Sequence, residues 1–129
     1  MNVNMTLLTD LYQLTMVGGY YLLGKDRQVA NFDYFFRKIP EDGGFCVAAG
    51  LEQLIEYIQN IHFEPQDLDY LKSLNLFSPQ VLEFFRQLRF TGDLYAVPEG
   101  TLVFPHEPIA RVTAPLPEAQ FIETALLNI

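Results

Sequence analysis

The sequence predicts an α+β domain in which short helices pack on a mainly antiparallel sheet. Three observations lead there. Residues 29–37 alternate polar Asn31 and Asp33 with Phe32, Tyr34 and Phe36, the period of a half-buried strand. Residues 94–114 hold three short β-prone runs separated by Pro98-Glu99-Gly100 and by Phe104-Pro105-His106-Glu107-Pro108. Between these regions, apolar residues recur at helical spacing, as in Leu51, Leu54, Ile55, Ile58 and again in Val81, Leu82, Phe85, Leu88.

At 129 residues, half of them apolar and 14% aromatic, the chain has the size and composition to build one core. Sixteen acids against eight bases give a net charge of −8, which argues against a general binder of nucleic acid or anionic membrane. A phosphate site built from a few arginines and backbone N–H groups remains compatible with that charge. Cys46 is the only cysteine, so an intrachain disulfide and a Cys-rich zinc site are excluded. Its apolar neighbours predict a buried structural thiol. The start, Met1-Asn2-Val3-Asn4-Met5, lacks the pattern of a secretion signal, and no run approaches the ~20 apolar residues of a membrane span. A cytoplasmic protein is the default expectation.

The first helix is expected from a Thr9 N-cap to about Leu23, with Gly24 as its stop. Leu11, Leu14 and Met16 can face a core, and Gly18-Gly19 allows another backbone to approach closely. Asp10 falls at the positive end of the helix dipole. Asp10 and Tyr12 on this first turn read in two ways: a capped helix with a half-buried Tyr, favoured on residue physics alone, or a platform for a flat polar ligand. Residues 29–37 form the first strand, closed by Arg37 and Lys38. Arg37 can offer its fork to a phosphate or carboxylate, or be part of a solvated basic pair at a sheet edge. Residues 39–44 form a connector by their Pro and Gly content. Its Gly43-Gly44 lacks the spacing and lysine of a P-loop.

Residues 45–61 are expected to form a long helix. Pro65 starts another with Leu68, Leu71 and Leu74 as its stripe, and Ser78-Pro79 repeats a cap-then-proline start. The runs at 94–97, 101–104 and 109–114 predict an antiparallel meander. After Pro115-Leu116-Pro117, one apolar helix is expected over residues 118–129. It carries no stop signal and ends on Leu126-Leu127-Asn128-Ile129, where a complete domain would finish with a cap or a polar tail. The chain is therefore expected to be the front piece of a larger enzyme, with residues 1–115 as its N-terminal domain and 116–129 as the start of a helix leading onward. His62 and His106 lack a neighbouring nucleophile and metal-ligand spacing. Glu99 and Glu107, in turns, are expected to be solvated.

Five stretches, in order, resemble the nicotinate phosphoribosyltransferase family. They are Leu7-Leu8-Thr9-Asp10-Leu11-Tyr12-Gln13-Leu14-Thr15-Met16; Tyr34-Phe35-Phe36-Arg37-Lys38; Ala49-Gly50-Leu51-Glu52; Val97-Pro98-Glu99-Gly100-Thr101-Leu102-Val103-Phe104-Pro105; and Glu118-Ala119-Gln120-Phe121-Ile122-Glu123-Thr124-Ala125-Leu126-Leu127-Asn128. They correspond to the front part of the family's chain. The resemblance implies an enzyme that joins nicotinate and phosphoribosyl pyrophosphate into nicotinate mononucleotide and pyrophosphate. ATP hydrolysis is coupled through a phosphorylated histidine, with Mg2+. It implies the N-terminal domain of a type II phosphoribosyltransferase, followed by an α/β barrel, and a homodimer with shared active sites.

By the same resemblance, Tyr12 would stack on the pyridine ring in the partner's site, Asp10 would help orient that turn, and Arg37 would reach phosphates of the donor or product. The phosphorylated histidine, phosphate sites and Mg-binding acids lie later in the family's chain, so this chain alone is expected to be catalytically silent and to bind no ATP or Mg2+. His106 stands where the family often has Asn, which implies a turn requirement. Pro117 stands where Leu is common, which fits a helix first turn. Two alternatives remain: a nicotinamide-using relative, which shares a Thr-Asp-x-Tyr start, and a non-catalytic interaction domain that uses the apolar C-terminal residues.

Overall fold

The computed structural model describes residues 4–129; Met1, Asn2 and Val3, within the start read above for a secretion-signal pattern, lie outside the described residues. Helix α1 (Leu11–Leu22) precedes strand β1 (Val29–Tyr34). Strand β2 (Cys46–Val47) and helices α2 (Leu51–Gln59), α3 (Pro65–Ser73) and α4 (Pro79–Gln87) follow. Next come strands β3 (Asp93–Ala96), β4 (Leu102–Val103) and β5 (Ala110–Pro115), and helices α5 (Leu116–Phe121) and α6 (Glu123–Asn128). The class is α+β, as the alternation and the stripes predict.

The sheet is not the expected meander. β5 is the central strand of an antiparallel sheet ordered β1-β5-β3, while β4 pairs with β2 in a separate two-stranded sheet. The run that reads as the middle of a meander therefore leaves its neighbours. β5 carries alternating buried positions, Ala110, Val112 and Ala114, and takes the centre. Its outer positions pair across the strands: Asp33 lies opposite Arg111, and Asn31 opposite Thr113.

α5 packs on the inner face of this sheet and α1 packs on α5. α4 lies against α1, and α3 against α4. The core is rich in aromatics: Phe63 lies 5.3 Å from Phe85 and 5.5 Å from Phe121 by ring centroids, and Phe77 meets Phe85 edge-on at 5.3 Å. Phe85 and Phe121 are fully buried.

Local signals set several boundaries. α1 ends at Gly24 with φ +67°; Gly24 N–H donates to Tyr21 O at 3.0 Å and Lys25 N–H to Tyr20 O at 2.8 Å, a Schellman motif. Asp67 accepts from the Glu64 N–H at 2.9 Å where α3 begins, and Ser78 Oγ accepts from the Val81 N–H at 3.4 Å where α4 begins. The stripes of α3 and α4 face inward as expected, with Leu71, Val81, Phe85 and Leu88 buried.

Four other expectations are corrected. α1 buries Gln13, Leu14, Val17 and Gly18, so Leu11 and Met16 fall on its exposed side. Gly18 admits the Val81 side chain, not a backbone: a Cβ there would lie 3.1 Å from Val81 Cγ1, and Gly19 faces open space. The helix expected from residue 45 begins only at Leu51. The residues before it pair with β4, so Cys46 is half-buried in a strand and Ile55 is exposed. The last helix divides at Ile122 into α5 and α6, both packed with the preceding elements, and Phe121, Ile122 and Ala125 are buried. Pro117 sits in the first turn of α5, where its missing N–H is harmless.

Candidate functional site

The first turn of α1 is held by its contacts with α5 and α6. Asp10, not Thr9, is the N-cap residue, and its carboxylate makes no bond to a helix N–H. Its Oδ2 accepts instead from Thr124 Oγ1 at 2.9 Å. The Thr9 hydroxyl is buried and has no hydrogen-bond partner among the described residues. The expected cap is thus replaced by a tertiary tie: extended backbone at Asp10 delays the helix by one residue, and α6 presents a hydroxyl to its carboxylate.

Behind this turn lies a polar cluster. Gln13 is fully buried, and its Nε2 donates to Tyr12 Oη at 2.9 Å and to Glu123 Oε2 at 2.7 Å. Gln120, also buried, donates through Nε2 to Gln13 Oε1 and to Glu123 Oε2, the latter at 2.8 Å. One carboxylate oxygen thus receives both amides, and acceptor-only chemistry at Glu123 sets which way each amide faces. Tyr12 is 50% exposed, with its hydroxyl oxygen anchored by the Gln13 amide.

Arg37 stands beyond the end of β1, exposed, and not within the strand as the alternation suggested. It lines an open depression of about 560 Å3 together with Tyr34, Phe35, Gln120, Glu123 and Leu127. Asp10 bonds α6 directly, Tyr12 reaches Glu123 only through Gln13, and Arg37 is linked to the same helix only by the depression it lines. The turn after β4 closes on the same strand end: His106 adopts φ +65° and its N–H donates to Phe36 O at 2.9 Å. That conformation suits Asn and matches the implied turn requirement.

Sequence reasoning assigned no role to Gln13, Gln120 or Glu123. A signal was present: Gln120 and Glu123 are three apart, and so share a face, on an otherwise apolar run. Glu99 is likewise not a merely solvated turn residue. Its two carboxylate oxygens accept from the Gly50 and Leu51 N–H groups at 2.8 and 3.0 Å, capping α2 from a distant turn. Glu107 accepts from the Phe104 N–H at 3.1 Å, a local turn contact. His62 follows α2, with Nδ1 2.7 Å from Asn60 O and Nε2 3.6 Å from Glu64. Among the described residues, no group of three or more His, Cys, Asp or Glu could hold a metal ion, and no helix is long and apolar enough to cross a membrane.

A family model described as the nicotinate phosphoribosyltransferase (NAPRTase) N-terminal domain matches residues 7–129. The chain belongs to this family. Over 126 residues, 98% of this chain and 26% of the relative's length, it is 49% identical to nicotinate phosphoribosyltransferase of Bacillus subtilis (strain 168). It is 43% identical over 122 residues to nicotinate phosphoribosyltransferase pncB2 of Mycobacterium tuberculosis, covering 95% of the chain and 26% of that protein. The crystal structure of human nicotinic acid phosphoribosyltransferase superposes with a TM-score of 0.85 at 38% identity, over 95% of this chain and 25% of that one. A nicotinate phosphoribosyltransferase structure from Porphyromonas gingivalis shares the fold, with a TM-score of 0.61 at 19% identity over 93% of this chain and 30% of that one. The chain thus spans about a quarter of the length of these relatives.

Proposed function

We propose that this domain is the front of a nicotinate phosphoribosyltransferase, to which it contributes substrate-binding side chains. The observation that carries the reading is the half-exposed Tyr12 ring on an anchored first turn, in a chain of this family. In this reading the full-length, cytoplasmic enzyme joins nicotinate and phosphoribosyl pyrophosphate into nicotinate mononucleotide and pyrophosphate, a step of NAD biosynthesis. ATP, with Mg2+, supplies driving energy through a histidine in the later chain. The described residues offer no metal-ligand set, so no step is assigned to Mg2+ within this region. Tyr12 stacks on the pyridine ring, a flat aromatic acid suited to a phenol face. Asp10 holds the turn through Thr124, and Arg37 reaches phosphate oxygens. The site is shared across a homodimer, residues 116–129 lead toward the barrel, and this domain alone is inactive.

The test is kinetic. Full-length enzyme should prefer nicotinate to nicotinamide; the opposite preference overturns the substrate. Tyr12→Ala should raise the nicotinate KM several-fold to about tenfold, since one aromatic stack contributes ~0.5–1.5 kcal/mol beyond buried area. Mixing Tyr12→Ala chains with chains lacking the phosphorylated histidine should return the wild-type nicotinate KM to about a quarter of the sites, if subunits exchange at random and Tyr12 serves its partner's site. A mixture with no sites of wild-type nicotinate KM places Tyr12 in its own chain's site.

A further inference from the structure

We propose that Gln13 and Glu123 are positioning residues that set the Tyr12 ring for the pyridine substrate; this rests on the reading of Tyr12 as the nicotinate platform. An amide has two protons to donate. Gln13 spends one on Tyr12 Oη, at 2.9 Å, and the other on Glu123 Oε2, at 2.7 Å. Its own oxygen is taken by Gln120, whose second amide proton also goes to Glu123 Oε2 at 2.8 Å. The orientation of the Gln13 amide is therefore fixed by a carboxylate that can only accept. The donor facing Tyr12 cannot be exchanged for an acceptor without breaking the bonds to Gln120 and Glu123.

Burying amides of this kind is costly unless every group is paired, and a leucine pair would fill the same helix interface more cheaply. What the polar cluster adds is a directed contact to a side chain that packing does not hold, because half of the Tyr12 ring is exposed. A phenol on the first turn of a helix keeps rotational freedom about χ1 and χ2. One bond at the far end of the ring removes much of it before the ligand arrives, and ordering a side chain beforehand improves binding. Glu123 also lines the depression that holds Arg37, so the same carboxylate backs both candidate substrate contacts. Asp10 on Thr124, the residue after Glu123, fixes the turn itself.

The experiment is a double-mutant cycle in the full-length enzyme, with nicotinate KM, kcat and Tm measured together. Gln13→Leu keeps the volume and removes the donor; the nicotinate KM should rise about three- to tenfold, the scale of one lost hydrogen bond, with kcat little changed. In the Tyr12→Phe background, where the acceptor is already gone, Gln13→Leu should leave the KM where Tyr12→Phe put it. Glu123→Gln, which retains an acceptor oxygen, should raise the KM less than Glu123→Ala. If Gln13→Leu fails to fold, Glu123→Ala in both backgrounds makes the same comparison. Equal multiplication of the KM in both backgrounds, or a lower Tm with an unchanged KM, overturns the positioning role. A Tyr12→Ala enzyme with normal nicotinate KM overturns the platform reading, and this inference with it. A raised KM in Tyr12→Ala with no effect of Gln13→Leu overturns this inference alone.

Discussion

Gln120 and Phe121 are neighbours in α5, yet they belong to opposite seams. Phe121 turns into the aromatic cluster with Phe63 and Phe85, where contact is close and non-directional. Gln120 turns toward α1, where it meets Gln13 and Glu123 in a set of bonds that leave the amides little orientational choice. The aromatic seam gains from apolar burial and tolerates small displacements. The polar seam gains little net free energy, because its bonds replace bonds to water. It loses much if one partner is removed, and it fixes orientation in a way that apolar packing does not. Stability and the placing of Tyr12 are thus carried by different sides of one short helix.

Breaking the aromatic seam should have the largest effect on stability. Phe85→Ala should destabilise the fold by about 3–5 kcal/mol, the usual cost of emptying a buried phenylalanine site. A denaturant titration reads it, and molecules that remain folded should keep the parent nicotinate KM in the full-length enzyme. A raised KM at retained fold would mean that the two seams are not separate.

Breaking the polar seam should cost less in stability and more in function. Gln120→Leu strands the buried Gln13 carbonyl oxygen and removes one donor to Glu123, a loss of about 1–3 kcal/mol. The nicotinate KM should rise with it. A variant that is as destabilised as Phe85→Ala, with an unchanged KM, would make the seam a purely structural one.

The smallest effect should come from the exposed polar contact on the outer sheet face, where Arg111 Nε donates to Asp33 Oδ1 at 2.6 Å. The hydrogen bond and charge of Arg111 hold the Asp33 carboxyl below its ordinary value of 3.8. A depressed carboxyl pKa contributes stability above the unfolded value, and that contribution is lost as pH falls through the folded value. Wild type and Asp33→Asn should therefore differ slightly in Tm at neutral pH and converge below about pH 3.8. Solvent screens this pair, so a large difference at pH 7 would show that an exposed pair can rival the buried seam.

Several elements were legible because their causes are local. Pro65 and Ser78-Pro79 start α3 and α4, Gly24 ends α1, and the alternation in β1 sorts its faces, all within a few residues of the chain. The half-exposed Tyr12 follows from its offset from Leu14 on α1. The resemblance names Asp10, Tyr12 and Arg37; the structure ties Asp10 to Thr124 and Tyr12 to Gln13, and leaves Arg37 exposed beyond β1. The resemblance did not reveal Thr124 and Gln13 as partners.

By itself the sequence determined the α+β class, the starts of α3 and α4, the stop of α1, the family, and the exposed first-turn tyrosine. Caps, periodicity and turn chemistry act over a single turn or strand. Only the tertiary structure decided that β4 leaves β3 to pair with β2, and that residues 46–47 join a strand and not the expected helix. It also decided that Glu99 caps α2, and that Gln13 meets Gln120 and Glu123 across more than a hundred residues of chain. Each of these depends on a partner distant in sequence. A short β-prone run or a lone glutamine carries no local mark of the partner that will satisfy its hydrogen bonds.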